Sequence, residues 1–111
     1  MPKYVVLYTS PISASAQMEN ADPEMAAAGI KAWNDWSARA GDAVVDLGLP
    51  LDNGRKLTSN GSAESGTDVA GYSILEADSI EGAEKLLSGH PHLQMPGAAI
   101  EVYESMQMPG M

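Results

Sequence analysis

The sequence predicts an α+β fold of the ferredoxin-like kind: a split β-α-β arrangement with a four-stranded antiparallel sheet and two helices on one face. Two observations carry the prediction. Segments with a period of two and segments with a period near 3.6 follow one another as strand, helix, strand with hairpin, strand, helix, strand. At 111 residues the chain has the length of one domain, residues 1–111, and can bury a modest core.

The first strand is KYVVLYT, residues 3–9, in which Val5 and Leu7 point one way and Tyr4, Val6 and Tyr8 the other. Neither side is charged beyond Lys3, so the strand reads as central and covered on both faces. Ser10 and Pro11 end it, and the small polar residues 12–21 read as a loop. Residues 22–40 predict a helix with Asp22 as N-cap and Pro23 at the first helical position. Met25, Ala26, Gly29, Ile30, Trp33, Trp36 and Ala40 fall within an arc of roughly 140°, which is the expected buried face. Gly41 closes the helix.

AVVDLGL, residues 43–49, is the second strand. Asn53-Gly54 is suited to a two-residue hairpin loop, with residues 55–59 as the returning arm. Residues 60–68 then read as a polar loop. VAGYSILEA, residues 69–77, is the third strand, with Tyr72, Ile74 and Glu76 on one face. Asp78 or Ser79 caps a second helix over 80–88, whose buried stripe is Ile80, Ala83, Leu86 and Leu87. Gly89 stops it, and Pro91 forces His90 into an extended conformation. AAIEVYES, residues 98–105, is the fourth strand, and an apolar tail, MQMPGM, follows.

Two helices cover one face of such a sheet, yet its strands are apolar or aromatic on both. A homodimer, sheet against sheet, is the expected cover.

Composition narrows the function. Fifteen acidic residues against six basic ones give a formal charge of −9, and the basic residues are scattered. Nucleic acid is therefore not an expected partner, and neither is an anionic membrane. No apolar run reaches membrane-spanning length. The glycines at 59–66 and 96–97 do not have the spacing of a phosphate-binding loop, so no nucleotide cofactor is expected. A neutral small molecule is the ligand this charge favours. The absence of cysteine, and of any charged and apolar leader before Lys3, makes the cytoplasm the expected location.

KYVVLY, the tryptophan pair before a glycine, DLGLPL, GYSILEADSIEGAEKLLSGHPHL and IEVYESMQMPGM together make the chain resemble the YCII-related family of small bacterial proteins. The resemblance runs over nearly the whole chain and is strongest over residues 71–104. It implies a dimeric α+β barrel with a cleft between the sheet and the helix ends. It implies little about function: most members are uncharacterised, and some are suspected enzymes because they carry a pocket histidine and aspartate. In the better-studied branch the histidine lies in the first helix, where this chain has none.

His90 takes its place as candidate acid or base, with Asp46 and Glu101 as carboxylates that strand positions could bring to it. Its position past a helix C-terminus is expected to raise its pKa. The competing reading is that His90 caps the last carbonyls of the helix. His92 is expected to be exposed. A metal held by His90, His92 and Glu101 is not expected, because His-x-His in an extended segment aims its side chains to opposite sides. Haem has no dedicated pocket here. Tyr8, Trp33, Tyr72 and Tyr103 are the candidate ligand-binding residues: with strands one, three and four adjacent, the tyrosines could share a face and line an apolar pocket. A non-catalytic ligand-binding or regulatory dimer is the alternative function.

Overall fold

The computed structural model describes residues 1–66 and 68–110, without the side chain of Asn20. Thr67 of the expected polar loop and Met111 of the tail lie outside the described residues. The elements are β1 (Lys3–Thr9), α1 (Ala14–Asn20), α2 (Pro23–Ala40), β2 (Val44–Asp46), β3 (Arg55–Thr58), β4 (Gly61–Glu64), β5 (Val69–Glu76), α3 (Ile80–Leu87) and β6 (Ala99–Glu104).

β2, β5, β1 and β6 form the main sheet in that order. β1 runs antiparallel to both β5 and β6, and β2 antiparallel to β5. Each helical connection thus links strands that are not neighbours, which is the split β-α-β topology. The fold class is the one expected.

Register sorts the side chains into two faces. Tyr4 lies opposite Leu75 and Glu104, Val6 opposite Ser73 and Val102, and Tyr8 opposite Gly71 and Ile100. Tyr4, Val6, Tyr8, Ser73 and Leu75 are all buried, and the core joins them to Trp36 of α2 and to Ala83 and Leu87 of α3. The alternate residues, Val5, Leu7, Tyr72, Ile74, Glu101 and Tyr103, occupy the other face, which no element of this chain covers.

The helices begin where their caps dictate. Asp22 accepts from the Met25 N–H at 2.8 Å, with Pro23 following, and Ser79 accepts from the Gly82 N–H at 3.1 Å. Trp36 anchors α2 to α3, its indole N–H donating to the Leu86 carbonyl at 2.9 Å.

Four expectations are corrected. Residues 14–20 are helical rather than loop, because Ser13 caps them by accepting from the Ala16 N–H at 3.2 Å and Ala, Gln, Met and Glu favour helix. Asn53-Gly54 does not turn a hairpin, although Asn53 has φ 54°. The hairpin is β3–β4, which turns at Ser59-Asn60 and is closed at its base by the Ser65 N–H on the Gly54 carbonyl. Part of the expected polar loop is therefore β4. Finally, only Trp33, Trp36 and Ala40 of the predicted α2 stripe pack on the core, while Met25 and Ile30 are about two-thirds exposed, at 67% and 65%. The first half of the helix overhangs the sheet.

Candidate functional site

Gly89, with φ +74°, lets the chain leave α3 and turn back, and His90 follows in the extended conformation that Pro91 requires. Proline at the first position then starts a 3-10 turn over Pro91–Gln94. The turn brings both histidines to one place, where an extended segment would have separated them. His90 is wholly buried and His92 nearly so, which corrects the expectation that His92 is exposed.

His90 sits in an aromatic cage. Its ring centroid lies 4.4 Å from Trp33, 4.5 Å from Trp36 and 5.0 Å from Tyr8. Tyr8 in turn touches Trp33 at 4.9 Å and His92 at 5.2 Å. Gly71 lies opposite Tyr8 in the ladder, close enough that a Cβ there would touch the Tyr8 ring at 3.4 Å. The Tyr8 hydroxyl is tied down as well. Ser73 Oγ, which it meets at 2.8 Å, donates to the Leu47 carbonyl at 2.6 Å, so Tyr8 donates to Ser73. Burial raises the Tyr8 pKa.

The hydrogen bonds also assign the imidazole protons. His90 Nδ1 accepts from the His92 backbone N–H at 3.0 Å, so the neutral ring carries its proton on Nε2. That Nε2 has no hydrogen-bond partner. The imidazole as a whole meets the ring of Trp33 at an interplanar angle of 86° and that of Trp36 at 60°. His92 Nε2 lies 2.8 Å from the Thr9 carbonyl; a carbonyl can only accept, so His92 donates. That bond fastens the turn to the end of β1.

Burial, followed by the proximity of His92, lowers the His90 pKa from 6.5 to about 4. The expected upward shift from the helix end is reversed because removing the ring from water disfavours its charged form more than one turn of helix favours it. His90 also closes α3, but through its backbone: its N–H donates to the Leu87 carbonyl at 3.1 Å, while its side chain caps the start of the turn that follows.

The other candidates divide between the two faces. Tyr8, Trp33 and His90 come together on the helix side. Tyr72, Tyr103 and Glu101 lie on the open face, Glu101 and Tyr72 both opposite Leu7 and Tyr103 opposite Val5. The tyrosines therefore do not share a face. Asp46 belongs with Tyr72: its Oδ2 accepts the Tyr72 hydroxyl at 3.3 Å and its Oδ1 the Gly48 N–H at 2.9 Å. The Asp46 charge raises the Tyr72 pKa. The sheet separates His90 from both Asp46 and Glu101. Trp36, His92 and Ser73 complete the cage and were not singled out from sequence for it; Pro91, which starts a turn and so gathers the histidines, was the available signal. Among the described residues, no three His, Cys, Asp or Glu side chains are gathered to hold a metal ion, and no helix is long and apolar enough to cross a membrane.

This is a ferredoxin-like α+β protein with a buried histidine in an aromatic cage. No family model matches the sequence, and no curated protein matches it. Among solved structures it is similar to 5-chloro-2-hydroxyhydroquinone dehydrochlorinase of Burkholderia phenoliruptrix AC1100, in complex with 2,5-dihydroxybenzoquinone. The two are 15% identical over 91% of each chain, with a TM-score of 0.41. The fold assignment rests on strand order and register in this chain, and nothing about its activity is taken from that likeness.

Proposed function

We propose that the protein is a homodimeric small-molecule-binding module of the YCII-related kind, whose ligand meets His90, Tyr8 and Trp33. The observation that carries this reading is the wholly buried His90 with its unpartnered Nε2. A buried polar group without a partner costs about 1–3 kcal/mol, and native folds retain such groups where a ligand or a reaction uses them. Neutral His90 presents an N–H donor between aromatic walls, which suits a planar, largely apolar molecule with one acceptor atom. Trp33 is only partly buried and stands as the wall a ligand would displace. Binding is favoured over acid–base catalysis because the carboxylates expected to orient the imidazole lie across the sheet from it.

Trp33 and Trp36 are the only tryptophans and both touch His90, so intrinsic fluorescence reports directly on the cage. Native mass spectrometry of the purified protein identifies a retained molecule, and a fluorescence titration with that molecule follows. The expected result is a saturable change in emission, with affinity weakened roughly tenfold or more in the folded His90→Gln protein, as for loss of a buried hydrogen bond. Equal affinity in His90→Gln, or a fluorescence insensitive to every retained or screened planar compound, refutes the reading.

A further inference from the structure

We propose that the depression between the C-terminal ends of α2 and α3 is a binding site for a small anion with an apolar or aromatic body, such as an aromatic carboxylate. The site shares Trp36 with the His90 cage but does not use His90, and it stands if the cage is purely structural. The depression holds about 280 Å³ and is lined by Trp36, Arg39, Ala40, Lys85, Leu86, Ser88 and Gly89. That is near the lower end of small-molecule pockets and fits a ring-sized ligand.

Charge makes the place unusual. The chain has six basic residues against fifteen acidic ones, and among the described residues only Lys31 forms a salt bridge, to Asp35 at 2.9 Å. Arg39 and Lys85 both line the depression, and among the described residues neither forms a salt bridge. Each lies in the last turn of its helix, where the negative helix end holds a cation in place. The fold thus brings two cations without carboxylate partners to one concavity of a strongly negative molecule.

The remaining lining gives the ligand its second property. Ala40 and Leu86 are apolar walls, and Trp36 is the floor, its indole fixed by the bond to the Leu86 carbonyl at 2.9 Å. Ser88 adds a hydroxyl. A guanidinium fork matches a carboxylate in two parallel bonds, with the ammonium as a second point of charge. A bare inorganic anion would leave the apolar walls unused, and a neutral ring would leave the cations unused.

The test is an amide NMR titration of the full chain with benzoate, benzamide and inorganic phosphate, reading the backbone signals of Ala40, Leu86, Ser88 and Gly89 and the Trp36 indole N–H. Benzoate is expected to shift these signals saturably, with benzamide and phosphate each at least about tenfold weaker, since one charged hydrogen-bonded pair or one buried ring is lost. The exposed substitutions Arg39→Gln and Lys85→Gln are each expected to weaken benzoate by roughly fivefold or more, whereas Lys31→Gln, outside the depression, leaves it unchanged. Benzamide matching benzoate, shifts confined to other residues, or Arg39→Gln and Lys85→Gln proteins that bind like the parent overturn the proposal. Phosphate matching benzoate overturns the ligand class, leaving a site for charge alone.

Discussion

With His90 at a pKa of about 4 when folded against 6.5 as its ordinary value, unfolding between those two pH values takes up a proton. The folded pKa is the lower one and the group is a base, so the unfolded chain binds more protons in that window. Stability therefore rises with pH from about 4 to about 6.5 and is lost as pH falls through it. The contribution is about 2 kcal/mol, less than the full difference between the two values because the surroundings relax and admit water when the ring charges. Denaturant melts of the wild type and of His90→Gln, taken from pH 4 to pH 7, isolate this share from that of the carboxylates. The gap between their pH slopes is expected to close above pH 6.5; parallel curves throughout would show that His90 does not titrate on unfolding. That both histidines end a helix was legible in the sequence from Gly89 and Pro91. Their burial was not, since it depends on Tyr8 and on tryptophans more than fifty residues away in the chain.

The connection from β2 into β5 depends on one glycine. Asp46 receives the Gly48 N–H, Gly48 adopts φ +80°, and a Cβ at that position would overlap the Tyr72 carbonyl oxygen of the neighbouring strand. Gly48→Ala is expected to destabilise the protein by more than about 3 kcal/mol, combining left-handed strain with displacement of the turn from β5. A thermal melt in which the variant unfolds within a few degrees of the parent would show that the turn gives way easily. The sequence marked the elements that carry strong caps and periodicity: β1, α2, β5, α3 and β6 all begin within a residue of their expected starts. It was weak where one signal competed with another. Asn53-Gly54 is a better hairpin pair than Ser59-Asn60 by local rules, yet β2 is held by β5, so the segment after Gly54 pairs with residues 61–64 instead. Ser13 signalled a helix too short to show a period. A hydrophobic stripe, likewise, reports which face of α2 is apolar and not whether this chain or another covers it.

What covers the open face is decided by the shape of the whole molecule. A compact chain of 111 residues has a radius of gyration of about 13 Å; this one measures 15.4 Å, with extents of 49 × 43 × 20 Å. It is a flat two-layered body from which the first half of α2 and the β3–β4 hairpin project. Its accessible surface of 7794 Å² exceeds by roughly 1,900 Å² the area of a typical monomer of this mass. Two protomers hiding that excess would bury about 3,800 Å², within the range of obligate homodimers. The excess includes apolar area: Val5 and Tyr103 are 37% and 53% exposed on the open face, with Ile30 and Leu57 on the overhanging elements. An isolated two-stranded hairpin is marginally stable in water, so β3–β4 also calls for a neighbour, and in the proposed homodimer a second copy would supply these contacts through one two-fold axis. Native mass spectrometry at micromolar concentration is expected to give twice the 11.6 kDa chain mass, with a melting temperature that rises with concentration. Val5→Asp, at the centre of the open face, is expected to shift the protein to monomer by placing an unpaired carboxylate in the interface; Tyr103→Glu, nearer the edge strand, does the same with less risk to the fold. A wild-type monomer whose melting is independent of concentration, or a folded Tyr103→Glu protein that dimerises as tightly as the parent, would place the interface elsewhere or deny it.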